Sequence, residues 1–199
     1  MPNSKYEVPG WDQIYDMLVD LALQIRRSGY HPDVIVGVSR GGWPPARVMS
    51  DLLQKPNLAN MKVEFYKDIA VTSKKPKITQ PVTTIVRGKR VLVVDDVADT
   101  GHSLVAVVGH LRRKGAMQIK VSTIYVKPQS IFQPDFFAKK TRKWIIFPWE
   151  RFEALSLITK KFDPKPNRTA AVLRELKDTG LGPRLVKRLL RMIHDDPKN

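Results

Sequence analysis

No cysteine occurs in the 199 residues, which excludes disulfides, thiolate metal sites and a cysteine nucleophile. Histidine is sparse, and His31, His102, His110 and His194 stand at no spacing that a metal site would use. Long apolar runs are missing as well. Nothing approaches the roughly 18 consecutive residues of a membrane helix, and the first ten residues lack the order of a secretory signal. A cytoplasmic protein is the expectation. Acidic residues are few beside basic ones, 19 against 35, for a formal net charge of +16. Such a field draws anions, whether nucleic acid, an acidic membrane surface or a polyphosphate substrate, and does not choose among them. What is present describes an ordinary globular chain: 42% hydrophobic and 27% charged residues, enough for one buried α/β core and a modest appendage.

Periodicity predicts alternating helices and strands. Trp11 to Arg27 places Trp11, Ile14, Tyr15, Leu18, Leu21, Ala22 and Ile25 at helical spacing, with Gly29 as the stop. Val34 to Val38 reads as a buried parallel strand that empties into Ser39-Arg40-Gly41-Gly42, and Pro44-Pro45 suits the first turn of a following helix. Met61 to Asp68 reads as another strand. Lys74 to Pro81 carries two prolines within a basic stretch and is expected to be an exposed, mobile loop. Arg90 to Val94 is the clearest buried strand, followed by a helix from His102 to Lys114 closed by Gly115. Ile119 to Val126 and Trp144 to Phe147 supply two more strands. The alternation indicates a parallel, Rossmann-like sheet with helices on both faces. Residues 1–162 are expected to form this domain. Residues 163–199 form a basic C-terminal helical extension beyond the linker Asp163-Pro164-Lys165-Pro166, with one helix from Asn167 to Asp178 and a second from Pro183 to His194.

The chemistry gathers at Val91-Leu-Val-Val-Asp95-Asp96-Val97-Ala98-Asp99-Thr100-Gly101-His102-Ser103. A buried strand delivers two adjacent carboxylates to the carboxyl edge of the sheet, where open α/β folds bind ligands. Small and hydroxyl-bearing residues then open a helix, whose N-terminal amides, with the Thr100 and Ser103 hydroxyls, make a pocket for a phosphate. Carboxylates beside a phosphate pocket suit a sugar diol, or a Mg²⁺ ion bound jointly with it. The segment is neither a P-loop nor a dinucleotide fingerprint, since it contains neither Gly-Lys-Ser/Thr nor Gly-x-Gly-x-x-Gly.

This segment resembles the phosphoribosyl pyrophosphate signature of the type I phosphoribosyltransferases, and three further motifs extend the likeness to the bacterial xanthine-guanine branch. Val36 to Gly42 looks like that family's pyrophosphate loop, Thr123 to Pro128 like the strand bearing its purine-contacting lysine, and Trp144 to Glu150 like its base-stacking segment. The resemblance implies an α/β type I phosphoribosyltransferase fold. It also implies transfer of a phosphoribosyl group to a free purine, giving a purine nucleoside 5′-monophosphate and pyrophosphate. Asp95 and Asp96 would hold the ribose hydroxyls and Mg²⁺, with Glu150 helping a second ion. Ala98, Thr100, Gly101, His102 and Ser103 would cradle the 5′-phosphate, the His102 side chain as a spectator. Ser39, Arg40 and Gly41 would grip the pyrophosphate, in this family often through a cis peptide. Asp99 would sit near purine N7 as N9 attacks the anomeric carbon. Lys127 would meet the purine O6, Trp144 would stack on the base, and the Ile145 carbonyl would reach its edge. Trp149 is read as core. The basic stretch from Ile69 to Val86 would be a lid.

Lys127 favours a 6-oxopurine (hypoxanthine, guanine or xanthine), because the adenine amino group cannot accept its hydrogen bond. The C-terminal extension keeps adenine open as an alternative, and the +16 charge keeps open a regulator that binds nucleic acid and senses phosphoribosyl pyrophosphate. The family likeness also implies a homodimer or higher homo-oligomer.

Overall fold

A computed structural model describes residues 5–67, 74–162 and 168–195. In chain order the elements are β1 (Tyr6–Glu7), α1 (Trp11–Arg27), β2 (Val34–Ser39), α2 (Trp43–Leu52), β3 (Leu58–Lys67) and β4 (Lys74–Gln80). Then come β5 (Arg90–Ala98), α3 (His102–Arg113), β6 (Gln118–Val126), β7 (Phe136–Lys140), β8 (Trp144–Ile145), α4 (Arg151–Lys160), α5 (Arg168–Glu175) and α6 (Pro183–His194). They form two compact units, one of Asp12–Arg142 and the other of Met1–Trp11 with Lys143–Asn199.

The larger unit is a six-stranded sheet in the order β4-β3-β2-β5-β6-β7, parallel except for the antiparallel pair β3–β4. Its centre is made of β-branched and leucine residues buried on both faces, as parallel strands require. Val34, Val36 and Val38 of β2 and Val91 and Val93 of β5 share one face with Leu104, Val107 and Leu111 of α3. Gly37 turns to the opposite face, where a Cβ would come 2.8 Å from the Ala46 Cβ of α2. Helices thus cover both faces, as the sequence predicts. No helix among the described residues is long and apolar enough to cross a membrane.

The order of the strands brings two corrections. Lys74 to Pro81 is not a free loop: Lys74–Gln80 is a strand, hydrogen-bonded to β3. It is an edge strand, the one place in a sheet where a proline such as Pro76 loses little by lacking an N–H. The expected lid also includes 69–73, which lie outside the described residues. The second correction concerns Trp144 to Phe147. Only Trp144–Ile145 is a strand, and it pairs with β1 in a separate two-stranded sheet. The edge beside β6 belongs instead to β7, a short Phe-Phe-Ala-Lys-Lys stretch whose entry is fixed by Val121 N donating to Asp135 Oδ2 at 2.8 Å.

The smaller unit has its own apolar cluster, built from Tyr6 and Ile146, Leu155 and Ile158 of α4, Val172 of α5, and Val186, Leu190 and Ile193 of α6. Tyr6 donates to Glu175 Oε1 at 2.7 Å, and Lys5 pairs with the same carboxylate. Burial and that neighbouring charge push the Tyr6 phenol up to about 12. Packing therefore joins 143–162 to the C-terminal helices, whereas composition suggests a boundary at 162/163. The linker residues 163–167, Asn167 among them, lie outside the described residues. Within the extension, α5 is shorter than the span from Asn167 to Asp178, and α6 has the expected bounds.

Candidate active site

Four apolar residues, Val91 to Val94, bury β5 in the sheet centre, and the strand then carries Asp95 and Asp96 to its carboxyl end at 8% exposure each. Successive side chains on a strand point to opposite faces, so the two carboxylates do not stand side by side. Asp95 lines a cavity of about 330 Å³ with Phe65 and residues 97–104. On the Asp96 side lies Gly41, so close that a Cβ there would collide with the Asp96 carboxylate. Only glycine lets the loop after β2 approach the acid at this distance. Backbone amides hold the pair in place: Asp96 N donates to Asp95 Oδ1 at 3.0 Å, and Val97 N donates to Asp96 Oδ1 at 2.7 Å. Burial raises the Asp95 carboxyl well above the usual carboxylate range, and the charge of Asp96 raises it further.

The cavity floor is the turn between β5 and α3. Gly101 takes φ +83°, a left-handed conformation suited to glycine, and a Cβ on it would come 2.7 Å from Phe132 N. The Ala98 and Thr100 carbonyls are drawn away by Lys127 N and Ile131 N, both at 3.0 Å. The first helical bond runs from Val105 N to Gly101 O at 3.0 Å, so the amides of the turn before it have no helical acceptor. Ala98, Thr100, Gly101, His102 and Ser103 all line this cavity. An N-terminal helix turn of this kind is suited to a phosphate by its N–H groups and its dipole.

Ser39 ends β2, Arg40 and Gly41 follow directly on it, and the peptide between Ser39 and Arg40 is cis. Asn60 of β3 donates to Ser39 Oγ at 3.3 Å, which ties the loop to the neighbouring strand. Across the sheet, Lys127 directly follows β6. Its Nζ lies 3.7 Å from Asp99 Oδ1, with the lysine side chain mostly buried and the Asp99 side chain 54% exposed. Gln129 Nε2 donates to the same Asp99 oxygen at 2.8 Å. A lysine and an amide thus converge on one carboxylate at the cavity mouth.

Asp95, Asp96, Asp99, Ala98 to Ser103, Ser39 to Gly41 and Lys127 all belong to the larger unit. Trp144, Ile145 and Glu150 belong to the smaller one. There Trp144 lies 5.5 Å from the Tyr6 ring, and Lys161 Nζ sits 4.9 Å over its indole. Ile145 is buried. Glu150 precedes α4, and its carboxylate accepts from Phe147 N at 3.4 Å. Trp149 stacks on Phe147 at 4.9 Å and 10°, in keeping with a core role.

Among the described residues no three His, Cys, Asp or Glu side chains gather as a metal site. Two buried carboxylates still fit Mg²⁺, which is commonly held by one or two carboxylates together with substrate phosphates and water.

Three residues of this neighbourhood were not evident from sequence: Phe65, Asn60 and Gln129. The first two lie on β3, and only the pairing of β3 with β2 brings them near the site. Gln129 carried a weak signal, since Pro128 favours a turn after Lys127. That turn is closed by Ser130 N donating to Lys127 O at 3.0 Å.

The phosphoribosyl transferase domain family matches residues 10–153. The xanthine-guanine phosphoribosyltransferase of Ruegeria sp. (strain TM1040) is 28% identical over 162 residues, covering 75% of this chain and 88% of that protein. The crystal structure of a purine phosphoribosyltransferase from Pyrococcus horikoshii OT3 is similar at 38% identity with a TM-score of 0.66, over 73% of this chain and 93% of that one. A xanthine-guanine-hypoxanthine phosphoribosyltransferase from Helicobacter pylori shares the fold at 21% identity, with a TM-score of 0.65 over 76% of this chain and 99% of that one.

Proposed function

The chain belongs to the phosphoribosyltransferase family, and on that premise we propose that it converts a free purine and phosphoribosyl pyrophosphate into a purine nucleoside 5′-monophosphate and pyrophosphate. The base is a 6-oxopurine. The observation that carries this reading is the cavity bounded by Asp95 and residues 97–104, with Lys127 and Asp99 paired at its mouth.

The family resemblance assigns each residue a part, and the local geometry supports several of them. The turn from Ala98 to Ser103 offers amides and hydroxyls to the 5′-phosphate. Asp95 and Asp96 accept hydrogen bonds from the ribose hydroxyls and would hold Mg²⁺, which when bound offsets the negative charge of the departing pyrophosphate. Ser39, Arg40 and Gly41 hold that pyrophosphate. As purine N9 bonds to the anomeric carbon, the bond from that carbon to the pyrophosphate oxygen breaks. The sugar passes through an oxocarbenium-like state, which the surrounding carboxylates favour electrostatically. Asp99, steadied by Gln129, takes the proton that the purine releases near N7. Lys127 donates to O6; the family resemblance gives Trp144 the part of stacking on a base and the Ile145 carbonyl that of meeting its edge. Glu150 would help hold a second metal ion, as the resemblance implies. We further place the enzyme in the cytoplasm, acting as a homodimer or higher homo-oligomer.

The decisive test is turnover of hypoxanthine, guanine, xanthine and adenine with phosphoribosyl pyrophosphate and Mg²⁺. Preference for a 6-oxopurine upholds the reading. Preference for adenine keeps the transferase and removes the role given to Lys127. Sugar-pyrophosphate binding without turnover of any base overturns the enzymatic reading.

A further inference from the structure

The helix that ends the described chain has chemistry the phosphoribosyl reaction does not use. α6 lies beyond the family match, which stops at residue 153. Between Asp178 and Asp195 the chain has no acidic residue but carries Arg184, Lys187, Arg188 and Arg191. At spacings of three and four these four share one helix face, and all four are exposed. None has an acidic partner among the described residues. At a rise of about 1.5 Å per residue, the row runs about 10 Å along the axis. The opposite face, Val186, Leu190 and Ile193, is buried in the cluster with Leu155 and Ile158.

We infer that the outer face of α6 is a docking surface for the phosphate backbone of a nucleic-acid duplex. Charge complementarity carries the argument, and two further observations select the partner. A helix that binds a membrane surface sinks its apolar face about 5–10 Å into the lipid boundary, but here Val186, Leu190 and Ile193 are already occupied inside the protein, and the cation row faces outward with Met192 the one exposed large apolar side chain of the helix. Proteins that bind single strands supply aromatic rings for the bases to stack on, and residues 168–195 contain no Phe, Tyr or Trp. Arginine and lysine on an exposed row contact phosphates, which position a duplex without reading its sequence. A competing mate exists on the molecule itself, since α1 exposes Asp12, Asp16 and Asp20 on one face.

The test measures anisotropy of a labelled, mixed-sequence DNA duplex of about 20 bp with the full chain. Four neutralised phosphates give a slope of log K against log salt of about −3.6, an affinity loss of about 100-fold between roughly 50 and 200 mM salt. Substituting Arg184, Lys187, Arg188 and Arg191 together by Gln is expected to abolish this binding while turnover and melting temperature hold. A control with Arg27, Arg112, Arg113 and Lys114 changed to Gln removes the same charge elsewhere and is expected to retain most of it. Equal losses in both variants would mean diffuse attraction to a basic protein, and the inference fails. It also fails if the full chain ignores the duplex but sediments with phosphatidylserine vesicles. Failure is equally clear if the full chain ignores the duplex and the α6 variant instead breaks up an assembly of copies in sedimentation velocity.

Discussion

The two ends of β5 use the same residue type to opposite effect. At the amino end, Asp33 meets Arg90 through two side-chain contacts, Oδ2 to Nε at 3.3 Å and Oδ1 to Nη2 at 3.0 Å, and Oδ2 also accepts from Arg90 N at 2.9 Å. The guanidinium draws the Asp33 carboxyl down to about 2. At the carboxyl end, burial and a neighbouring acid push Asp95 the other way. One end is electrostatically complete without a ligand. The other holds an acid whose ionisation the fold disfavours until something positive arrives, and that asymmetry supports the carboxyl end as the proposed place of binding.

Removing the two acids at the carboxyl end should have the largest effect. Asp95→Asn with Asp96→Asn is expected to lower turnover by about 10³-fold or more, the scale on which preorganised electrostatic groups act. The metal-free double variant should melt no lower than the parent, because it no longer buries a carboxylate pair. Steady-state kinetics with a thermal melt checks both, and full activity would sink the assignment. Next in size is Asp99→Ala, with an expected loss of about 10²-fold in kcat, within the usual range for a general base. Gln129→Leu should reproduce a part of that loss and shift the pH profile of kcat with little change in KM for the sugar pyrophosphate. A profile that does not move would confine Gln129 to a structural role. Lys127→Ala is a smaller break. It should weaken 6-oxopurine use by about 10- to 100-fold, the worth of one charged hydrogen bond, while adenine use changes less. Equal losses would refute discrimination by Lys127.

Sequence made the carboxyl end of β5 far more legible than the amino end. Val91 to Ser103 is continuous, so its strand, acids, turn and helix start can be read in order, and all the residues proposed to bind the 5′-phosphate fall within it. The Ser39 to Gly42 loop was legible for the same reason, as a strand emptying into glycines. Long-range pairings were not. Asp33 and Arg90 are separated by 57 positions, and nothing local marks them as partners. Phe65 and Asn60 reach the site only through strand order. Pro76 misled by looking like a loop residue where an edge strand tolerates it. The strand at Phe136–Lys140 is hidden because its five residues, two phenylalanines, an alanine and two adjacent lysines, show no period-two alternation. The C-terminal boundary was placed by composition, which sees the prolines at 164 and 166 but not the packing of Ile146 and Leu155 against α6.

Asp33→Asn offers the smallest and most specific change, because it tests the complete end alone. The folded pKa of Asp33, about 2, lies below the ordinary carboxylate value of about 3.9. The ionised form therefore favours the folded chain. Its contribution is fully present above roughly pH 4 and is lost as the pH falls through about 2. The Arg90 and Asp33 side chains are 37% and 32% exposed, so solvent screening keeps the effect modest. Melting temperatures of parent and variant should differ slightly at neutral pH and converge as the pH is lowered toward 2, with the gap narrowing as salt is added. Turnover should be unaffected once the protein is folded. A gap that stays constant with pH would show that the substitution costs the backbone hydrogen bond from Arg90 rather than an ion pair, and the contrast between the two ends of β5 would then rest on Asp95 alone.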